Sequence, residues 1–257
     1  MSAAAAELLP PSKVLLLLEG GRALFELGLL GPSLPLLHSA ARGDGHPVLV
    51  LPGLAAGDLS TLPLRRFLCR HGYDAQGWQL GRNSGAPELM GRLEQRVAGL
   101  HRQLGRKLSL VGWSLGGLYA REVAKRMPDQ VRCVITLGSP FRGPARASNV
   151  LRIYEYLSGQ KSRDSDVLGL DRTPPVPTSA IFTRGDGIVP WQRCVEPAGR
   201  ERVESIEVHG SHTGLGHNPS VLHAVSDRLA QAEGAWTPFR PHSALRLLYP
   251  DPWRGTA

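Results

Sequence analysis

The stretch LVGWSLGG, residues 110–117, places Ser114 between glycines directly after a run of strand-forming residues. It contains the pattern Gly-x-Ser-x-Gly, and the residues from Leu115 onward favour a helix. A tight turn between a strand and a helix forces the serine into a strained conformation that small neighbours permit. The pattern predicts an exposed Ser114 hydroxyl at a strand end, beside a helix N-terminus that favours developing negative charge.

The composition is that of a globular protein. The chain has 257 residues, of which 42% are hydrophobic and 20% charged, and this fits one α/β domain. The net charge is +8, but the arginines are scattered and form no basic block, so we expect no nucleic-acid partner. Cys69, Cys133 and Cys194 are isolated and indicate neither a disulfide framework nor a zinc site.

Short apolar runs alternate with helical periodicity over most of the chain. Strands are predicted at residues 46–53, 73–78, 107–113, 131–138, 178–183 and 202–209, and helices at 61–71, 86–104, 115–127 and 219–235. This alternation predicts a mostly parallel sheet with helices on both faces and the functional loops at the carboxyl ends of the strands. The periodicity weakens over residues 139–177, where we expect an insertion with a short helix near 150–157.

The N-terminal region predicts an amphipathic helix over residues 12–30, with Ser12 as its N-cap. We expect its apolar face to pack on the main domain, while contact with a membrane surface or coverage of the active site stay open. That face comprises Val14, Leu17, Leu18, Leu24, Phe25 and Leu29.

The expected organisation is an N-terminal helix and connector (1–45), a core (46–236) and a C-terminal tail without regular period (237–257). Residues 32–45 are punctuated by proline and glycine and are predicted as connector. Neither a clear signal peptide nor a run of membrane-spanning length is visible, so we expect a cytoplasmic protein with membrane-surface contact left open.

A serine nucleophile needs a base, and the base needs a carboxylate to orient it. Asp186 follows the strand TSAIFT in a tight Gly-Asp-Gly loop, where an aspartate is either an orienting group or a plain turn residue. The segment after the last strand offers three histidines. We favour His212, in the loop Gly-Ser-His-Thr-Gly, and keep His209 and His217 as alternatives.

Five segments together resemble the α/β-hydrolases, in particular bacterial serine esterases and lipases. They are PVLVLPGL, SLVGWSLGG, ITLGSPFRG, RGDGIVPW and GSHTGLG, and they extend from about residue 46 to 230. The resemblance implies the α/β-hydrolase fold, with Ser114 as nucleophile, His212 as general base and acid, and Asp186 as orienting group. It also implies a small lid over residues 140–177.

The same resemblance implies an oxyanion hole formed by the N–H groups of Leu54 and Leu115. Leu54 lies in the loop LPGLAAG (51–57), for which a simple Pro-Gly turn is the alternative interpretation. Arg82 and Asn83 lie either at the pocket rim or in a loop that they stabilise. We predict no metal and no cofactor.

The resulting hypothesis is a carboxylic ester hydrolase that forms an acyl-enzyme on a small-molecule or lipid-like ester. Trp113 and the apolar lid residues Tyr154 and Leu157 are the candidate acyl-binding residues. An acyltransferase and a thioesterase would use the same triad. A membrane-associated binding protein is the non-enzymatic alternative, because one fold hosts many functions.

Overall fold

The apolar runs form one sheet in the computed structural model, which describes residues 10–142 and 171–254. The strands are β1 (Pro47–Leu51), β2 (Asp74–Gly77), β3 (Leu108–Trp113), β4 (Val131–Leu137), β5 (Thr178–Phe182) and β6 (Val203–Glu207). Neighbouring strands are parallel, in the order β2-β1-β3-β4-β5-β6. The order reverses between β1 and β3, and a crevice forms outside the carboxyl ends of strands at such a switch point.

Helices cover both faces of this sheet. They are α1 (Lys13–Gly28), α2 (Leu34–His38), α3 (Leu62–Arg70), α4 (Glu88–Leu104), α5 (Leu115–Arg126) and α6 (Pro219–Leu229). Val48 and Val50 of β1 pack with α2, α3 and α6, whereas Leu49 and Leu51 pack with α4 and α5. Successive side chains of a strand point to opposite faces, so a strand with a core on each side is apolar throughout.

The structure differs from the predicted elements in three places. The 32–45 connector contains α2, which begins with Pro35 in its first turn, where a missing N–H is tolerated. The helix predicted to Ala235 ends at Leu229, and the following chain turns so that the Gln231 carbonyl accepts from Arg132 of β4. The tail contains a 3₁₀ helix over Ser243–Leu248.

The N-terminal helix forms as predicted, with the Ser12 hydroxyl accepting a hydrogen bond from the N–H of Leu15 at 3.2 Å. The expectation that its apolar face packs on the main domain is wrong. Five members of that face are exposed: Val14, Leu17, Leu18, Leu24 and Phe25. The face that packs on the domain carries Glu19 and Glu26, because it meets loops whose backbone N–H groups donate to these two carboxylates.

None of the helices in the described part of the chain is long and apolar enough to cross a bilayer. Most of the expected lid (140–177), with the short helix near 150–157, lies outside the described residues.

Candidate active site

Ser114 occupies a strained turn between β3 and α5, and only 5% of its surface is exposed, so the prediction of an exposed serine is wrong. Its backbone has φ 52° and ψ −120°, outside the regions that a residue with a side chain ordinarily adopts. The turn is possible because its neighbours lack side chains: a Cβ on Gly112 would lie 2.4 Å from the carbonyl oxygen of Gly116, and one on Gly116 would lie 2.5 Å from the carbonyl oxygen of Leu51. The N–H of Ser114 donates to the Leu137 carbonyl of β4 at 2.8 Å, which ties the turn to the next strand.

The loop after β1 passes close to this serine. A Cβ on Gly53 would lie 3.4 Å from the Cβ of Ser114, so the backbone at residue 53 approaches the serine turn closely. Within the described ranges, the structure gives no hydrogen-bond acceptor to the N–H groups of Leu54 and Leu115. Leu54 follows Gly53 and Leu115 follows Ser114, so both N–H groups belong to the two segments that meet at this turn and are free to donate to an oxygen of a bound molecule.

Arg82 and Asn83 stabilise the loop after β1, which decides between the two alternatives for this pair. The Asn83 side chain is fully buried and donates to the Pro52 carbonyl at 2.8 Å. Its backbone carbonyl accepts from the N–H of Ala55 at 2.7 Å, and the Arg82 Nε donates to the Ala55 carbonyl at 2.7 Å. These hydrogen bonds hold Pro52 and Ala55 in place and thereby fix the position of Leu54, which lies between them.

Asp186 and His212 form a buried hydrogen-bonded pair, each with 4% of its surface exposed. The Nδ1 of His212 lies 2.6 Å from Oδ2 of Asp186. The other carboxylate oxygen, Oδ1, accepts from the N–H groups of Ile188 at 2.8 Å and Val189 at 2.6 Å. The carboxylate is therefore held by its own loop and leaves one oxygen for the imidazole.

The other two histidines lie in different surroundings. His209 is exposed at the end of the strand, and its carbonyl accepts from Asn218. The Nε2 of His217 lies 2.8 Å from the carbonyl of Ala23 on α1, so this ring contacts the N-terminal helix. Of the three, His212 is the one paired with Asp186.

Trp113 connects the serine turn to the histidine loop. Its indole N–H donates to the backbone carbonyl of His212 at 3.1 Å. Gly138 contacts the imidazole, since a Cβ there would lie 3.0 Å from Nδ1 of His212. The preceding residue, Leu137, accepts a hydrogen bond from the N–H of Ser114. No hydrogen bond joins the Ser114 hydroxyl to the imidazole in the described part of the structure, and catalytic hydrogen bonds often shorten only when substrate binds.

The electrostatic surroundings of His212 favour its protonated form. Burial by itself lowers the pKa of this histidine, but the charge of Asp186, the hydrogen bond to Asp186 and the charge of Glu19 outweigh that effect and raise the pKa above 6.5. The imidazole is thus prepared to take up a proton.

The sequence interpretation missed the residues of α1 that contact the site. Glu19, Arg22 and Glu26 each hydrogen-bond to the loops that carry Asp186 and His212. Their spacing in the sequence could have revealed them. Glu19 and Arg22 are three residues apart and Arg22 and Glu26 four, which places all three on one face of the helix, opposite the leucines. Trp113 was expected at the acyl site and contacts the histidine loop, while Tyr154 and Leu157 lie outside the described residues.

A second hydrogen-bonded set of aspartate, histidine and serine lies near the amino ends of β1 and β3. The Nδ1 of His46 is 2.5 Å from Asp44, and its Nε2 is 3.0 Å from the hydroxyl of Ser109. Ser109 is 0% exposed and lies within β3, near its amino end, and burial lowers the pKa of His46. Ser114 differs in position, because it follows the carboxyl end of β3, where the functional loops of a parallel sheet meet.

Comparison with known proteins gives partial sequence likeness and broad structural likeness. No family model matches the chain. A pimeloyl-[acyl-carrier protein] methyl ester esterase of Shewanella woodyi is 31% identical over 106 residues, which is 40% of this chain and 40% of the relative. The protein of the same name from Shewanella sp. strain MR-7 is 32% identical over 108 residues, 41% of this chain and 39% of the relative. The chain thus matches about two fifths of the length of these curated relatives.

Three solved structures share the architecture at low sequence identity. Aspergillus fumigatus lipase B superposes with a TM-score of 0.59 at 19% identity, over 77% of this chain and 57% of that chain. A putative aryl esterase from Burkholderia cenocepacia gives 0.53 at 15% identity, over 73% and 91%. The esterase domain of a Rhodothermus marinus protein gives 0.51 at 18% identity, over 74% and 88%. At these identities the likeness concerns the fold.

Proposed function

We propose that this chain, whose fold is that of the α/β-hydrolases, is a carboxylic ester hydrolase acting through Ser114, His212 and Asp186. One observation carries the proposal: a strained serine and a buried, hydrogen-bonded Asp-His pair both follow the carboxyl ends of parallel strands of the same sheet. The partial likeness to methyl ester esterases supports the same reaction class.

In the proposed acylation step, Ser114 Oγ attacks the ester carbonyl carbon while Nε2 of His212 accepts the hydroxyl proton. The carbonyl electrons move to the oxygen, and the N–H groups of Leu54 and Leu115 donate to the resulting oxyanion. When the oxyanion collapses, the bond to the alcohol oxygen breaks, and the imidazolium returns its proton to that oxygen. Asp186 accepts from Nδ1–H throughout, which keeps Nε2 free to receive the proton.

In the deacylation step, water takes the place of the alcohol. His212 accepts a proton from the water, whose oxygen attacks the acyl-Ser114 carbonyl at the same oxyanion position. When this second oxyanion collapses, the bond between the acyl carbon and Ser114 Oγ breaks, the imidazolium returns its proton to Oγ, and the acid is released.

The proposed substrates are esters of a small alcohol with an acyl group of apolar character. The curated relatives are named for a methyl ester, so methyl esters belong in the first substrate series. We propose that Trp113 and the lid residues Tyr154 and Leu157 line the acyl site.

The test is hydrolysis of p-nitrophenyl and methyl esters with acyl chains of two to sixteen carbons. Ser114→Ala and His212→Ala are each expected to lower kcat about 10³-fold or more. His209→Ala is the matched control, because this exposed histidine lies in the same loop. Parent activity and fluorophosphonate labelling that both survive in Ser114→Ala would contradict the proposal.

Two further experiments distinguish an ester hydrolase from a thioesterase and from an acyltransferase. Thioesters turned over faster than the matching oxygen esters would favour a thioesterase, and ester formation with an added alcohol would favour an acyltransferase. A parent that neither hydrolyses the series nor labels at Ser114 would favour the binding protein.

We propose in addition that the chain is cytoplasmic and contacts membranes reversibly through the exposed apolar face of α1. Leu17 and Phe25 are 84% and 68% exposed on that face, and the net charge of +8 favours an anionic surface. Flotation with anionic vesicles is expected to capture the parent and to lose the double variant Leu17→Glu/Phe25→Glu. Leu247→Glu is the control, since Leu247 is 87% exposed and lies on the 3₁₀ helix of the C-terminal tail. Equal flotation of both variants would contradict the contact.

A further inference from the structure

Glu19 of α1 bonds to both loops of the Asp-His pair with one carboxylate. Its Oε1 accepts from the N–H of Gly187, the neighbour of Asp186, at 2.8 Å and from the N–H of His212 at 3.2 Å. Its Oε2 accepts from the N–H of Thr213 at 3.0 Å. The two loops come from different strands, and this side chain fixes the distance between them.

Glu26, two turns further along the helix, holds the histidine loop from its other side. Its Oε1 accepts from the N–H of Ser211 at 2.7 Å, and its Oε2 accepts from the side-chain amide of Asn218 at 2.8 Å. With Glu19, it anchors the backbone on both sides of the imidazole. Both glutamates are 5% exposed, so water contributes little to these contacts.

The loops are shaped to receive the helix. The guanidinium of Arg22 donates to the Gly185 carbonyl at 2.7 Å and to the Gly210 carbonyl, so it also spans the two loops. A Cβ on Gly187 would lie 2.5 Å from the backbone carbon of Leu15, and so the helix approaches as closely as it does only because this residue is glycine.

We propose that Glu19 and Glu26 are positioning residues, and that α1 acts through them to hold His212 and Asp186 in the geometry for proton transfer; this inference rests on the serine mechanism proposed above. Burying a carboxylate is unfavourable unless hydrogen bonds compensate it. An apolar side chain would suffice if the helix only covered surface, whereas a carboxylate is suited to fixing several N–H groups at once.

The charge of Glu19 adds a property that a packing role lacks. The charged groups around His212 are Asp186, Glu19 and Glu26, together with Arg22 on the carbonyl of Gly210. Glu19 is negative, so it helps to raise the pKa of the imidazole. Removing its charge lowers that pKa and moves the acidic limb of kcat/KM to lower pH, because the neutral imidazole is the base.

The test compares Glu19→Gln, Glu26→Gln and the parent full-length chain in two measurements. The first is the NMR titration of His212, assigned with His212→Ala, together with its Nδ1–H resonance. The second is the pH profile of kcat and KM on the best p-nitrophenyl ester. Glu94→Gln is the control, because Glu94 of α4 forms a partly exposed ion pair with Arg126 of α5 and, among the residues that the structure describes, contacts neither loop of the Asp-His pair.

For Glu19→Gln we expect a lower His212 pKa, a weakened Nδ1–H resonance and a kcat about 10- to 100-fold below the parent with little change in KM. For Glu26→Gln, which contacts the histidine loop alone, we expect the loss of kcat with a smaller pKa shift, and this variant carries the test if Glu19→Gln does not fold. Glu94→Gln is expected to match the parent in both measurements.

The outcomes separate the two proposals. A parent that neither hydrolyses the ester series nor labels at Ser114, while the Nδ1–H resonance of His212 still weakens in Glu19→Gln, overturns the hydrolase assignment and supports the positioning of the Asp-His pair by Glu19. An active parent, with His212 titration and kcat unchanged in both glutamine variants, overturns the positioning role. Variants that only unfold at lower temperature, with the parent's pH profile, also overturn it.

Discussion

Replacing Asp186 with asparagine tests how the aspartate sets the tautomer of His212. Asp186 Oδ1 accepts two backbone N–H groups, from Ile188 and Val189, while Oδ2 faces Nδ1 of the imidazole. An asparagine keeps its oxygen on the two N–H donors and therefore turns its NH₂ group toward Nδ1. The imidazole then carries its proton on Nε2, where it cannot accept one from Ser114.

The magnitude follows from the alternative orientation of the amide. Flipping the side chain of the substituted asparagine restores the productive tautomer but leaves two buried N–H groups without acceptors, at about 1–2 kcal/mol each. A difference of about 2–4 kcal/mol leaves the productive form in about one molecule in 30 to one in 1,000. Loss of the negative charge beside the imidazolium weakens the transition state further, so we expect kcat to fall by about 10³- to 10⁴-fold.

The assay is kcat and KM of Asp186→Asn on the best p-nitrophenyl ester, with the tautomer of His212 read from its ¹⁵N shifts. Asp251→Asn is the matched control, because Asp251 accepts a backbone N–H at the exposed surface. Retention of more than a tenth of the parent kcat by a folded Asp186→Asn variant would refute the tautomer argument.

Gly112→Ala is expected to lower the free energy of unfolding by about 3 kcal/mol in urea titration, since its Cβ would lie 2.4 Å from backbone atoms. Gly91→Ala, exposed on α4 with nothing within 4 Å, should raise it by about 0.5–1 kcal/mol, and equal effects would contradict the close approach. The acidic limb of kcat/KM should have its midpoint above pH 6.5, because the pKa of His212 is raised; a midpoint below 6.5 would argue against His212 as the base. The ion pair between protonated His212 and Asp186 should likewise stabilise the fold fully below pH 6.5 and lose that contribution as the pH rises through the raised pKa of the folded state. The free energy of unfolding at several pH values measures this contribution. Arg121→Met leaves the buried Glu196 without its ion-pair partner and should lower the free energy of unfolding by about 3–5 kcal/mol. The double variant Arg121→Met/Glu196→Gln should recover most of that free energy.

The α/β-hydrolase fold class expected from the order of segments is confirmed by the parallel sheet and by the solved structures that superpose on it. This was predictable because a strand covered on both faces must be apolar throughout, a property that β1 displays along its whole length, whereas the edge strands β2 and β6 contain charged residues. The turn at Ser114 was predictable for a similar reason, since Gly112 and Gly116 are required within a few residues of it. The catalytic roles remain predictions that the variants above test.

Chain order alone could not choose among the histidines or decide what Arg82 and Asn83 do. Each choice depends on a contact across the sequence: His212 meets Asp186 from a different strand end, and Asn83 reaches back to Pro52. The hydrogen-bond partner of a polar side chain can lie far away in the sequence, so only the folded structure identifies it.

The sequence by itself determined the alternation of strands and helices, the glycine-flanked turn at Ser114 and the helix that begins after Ser12, because these depend on local spacing and local backbone limits. Only the tertiary structure decided which face of that helix meets the domain. The periodicity favoured burial of its leucines, but the loops beneath it present backbone N–H groups that need acceptors. Glu19 and Glu26 supply these acceptors, so the two glutamates are buried on the domain and Leu17 faces outward.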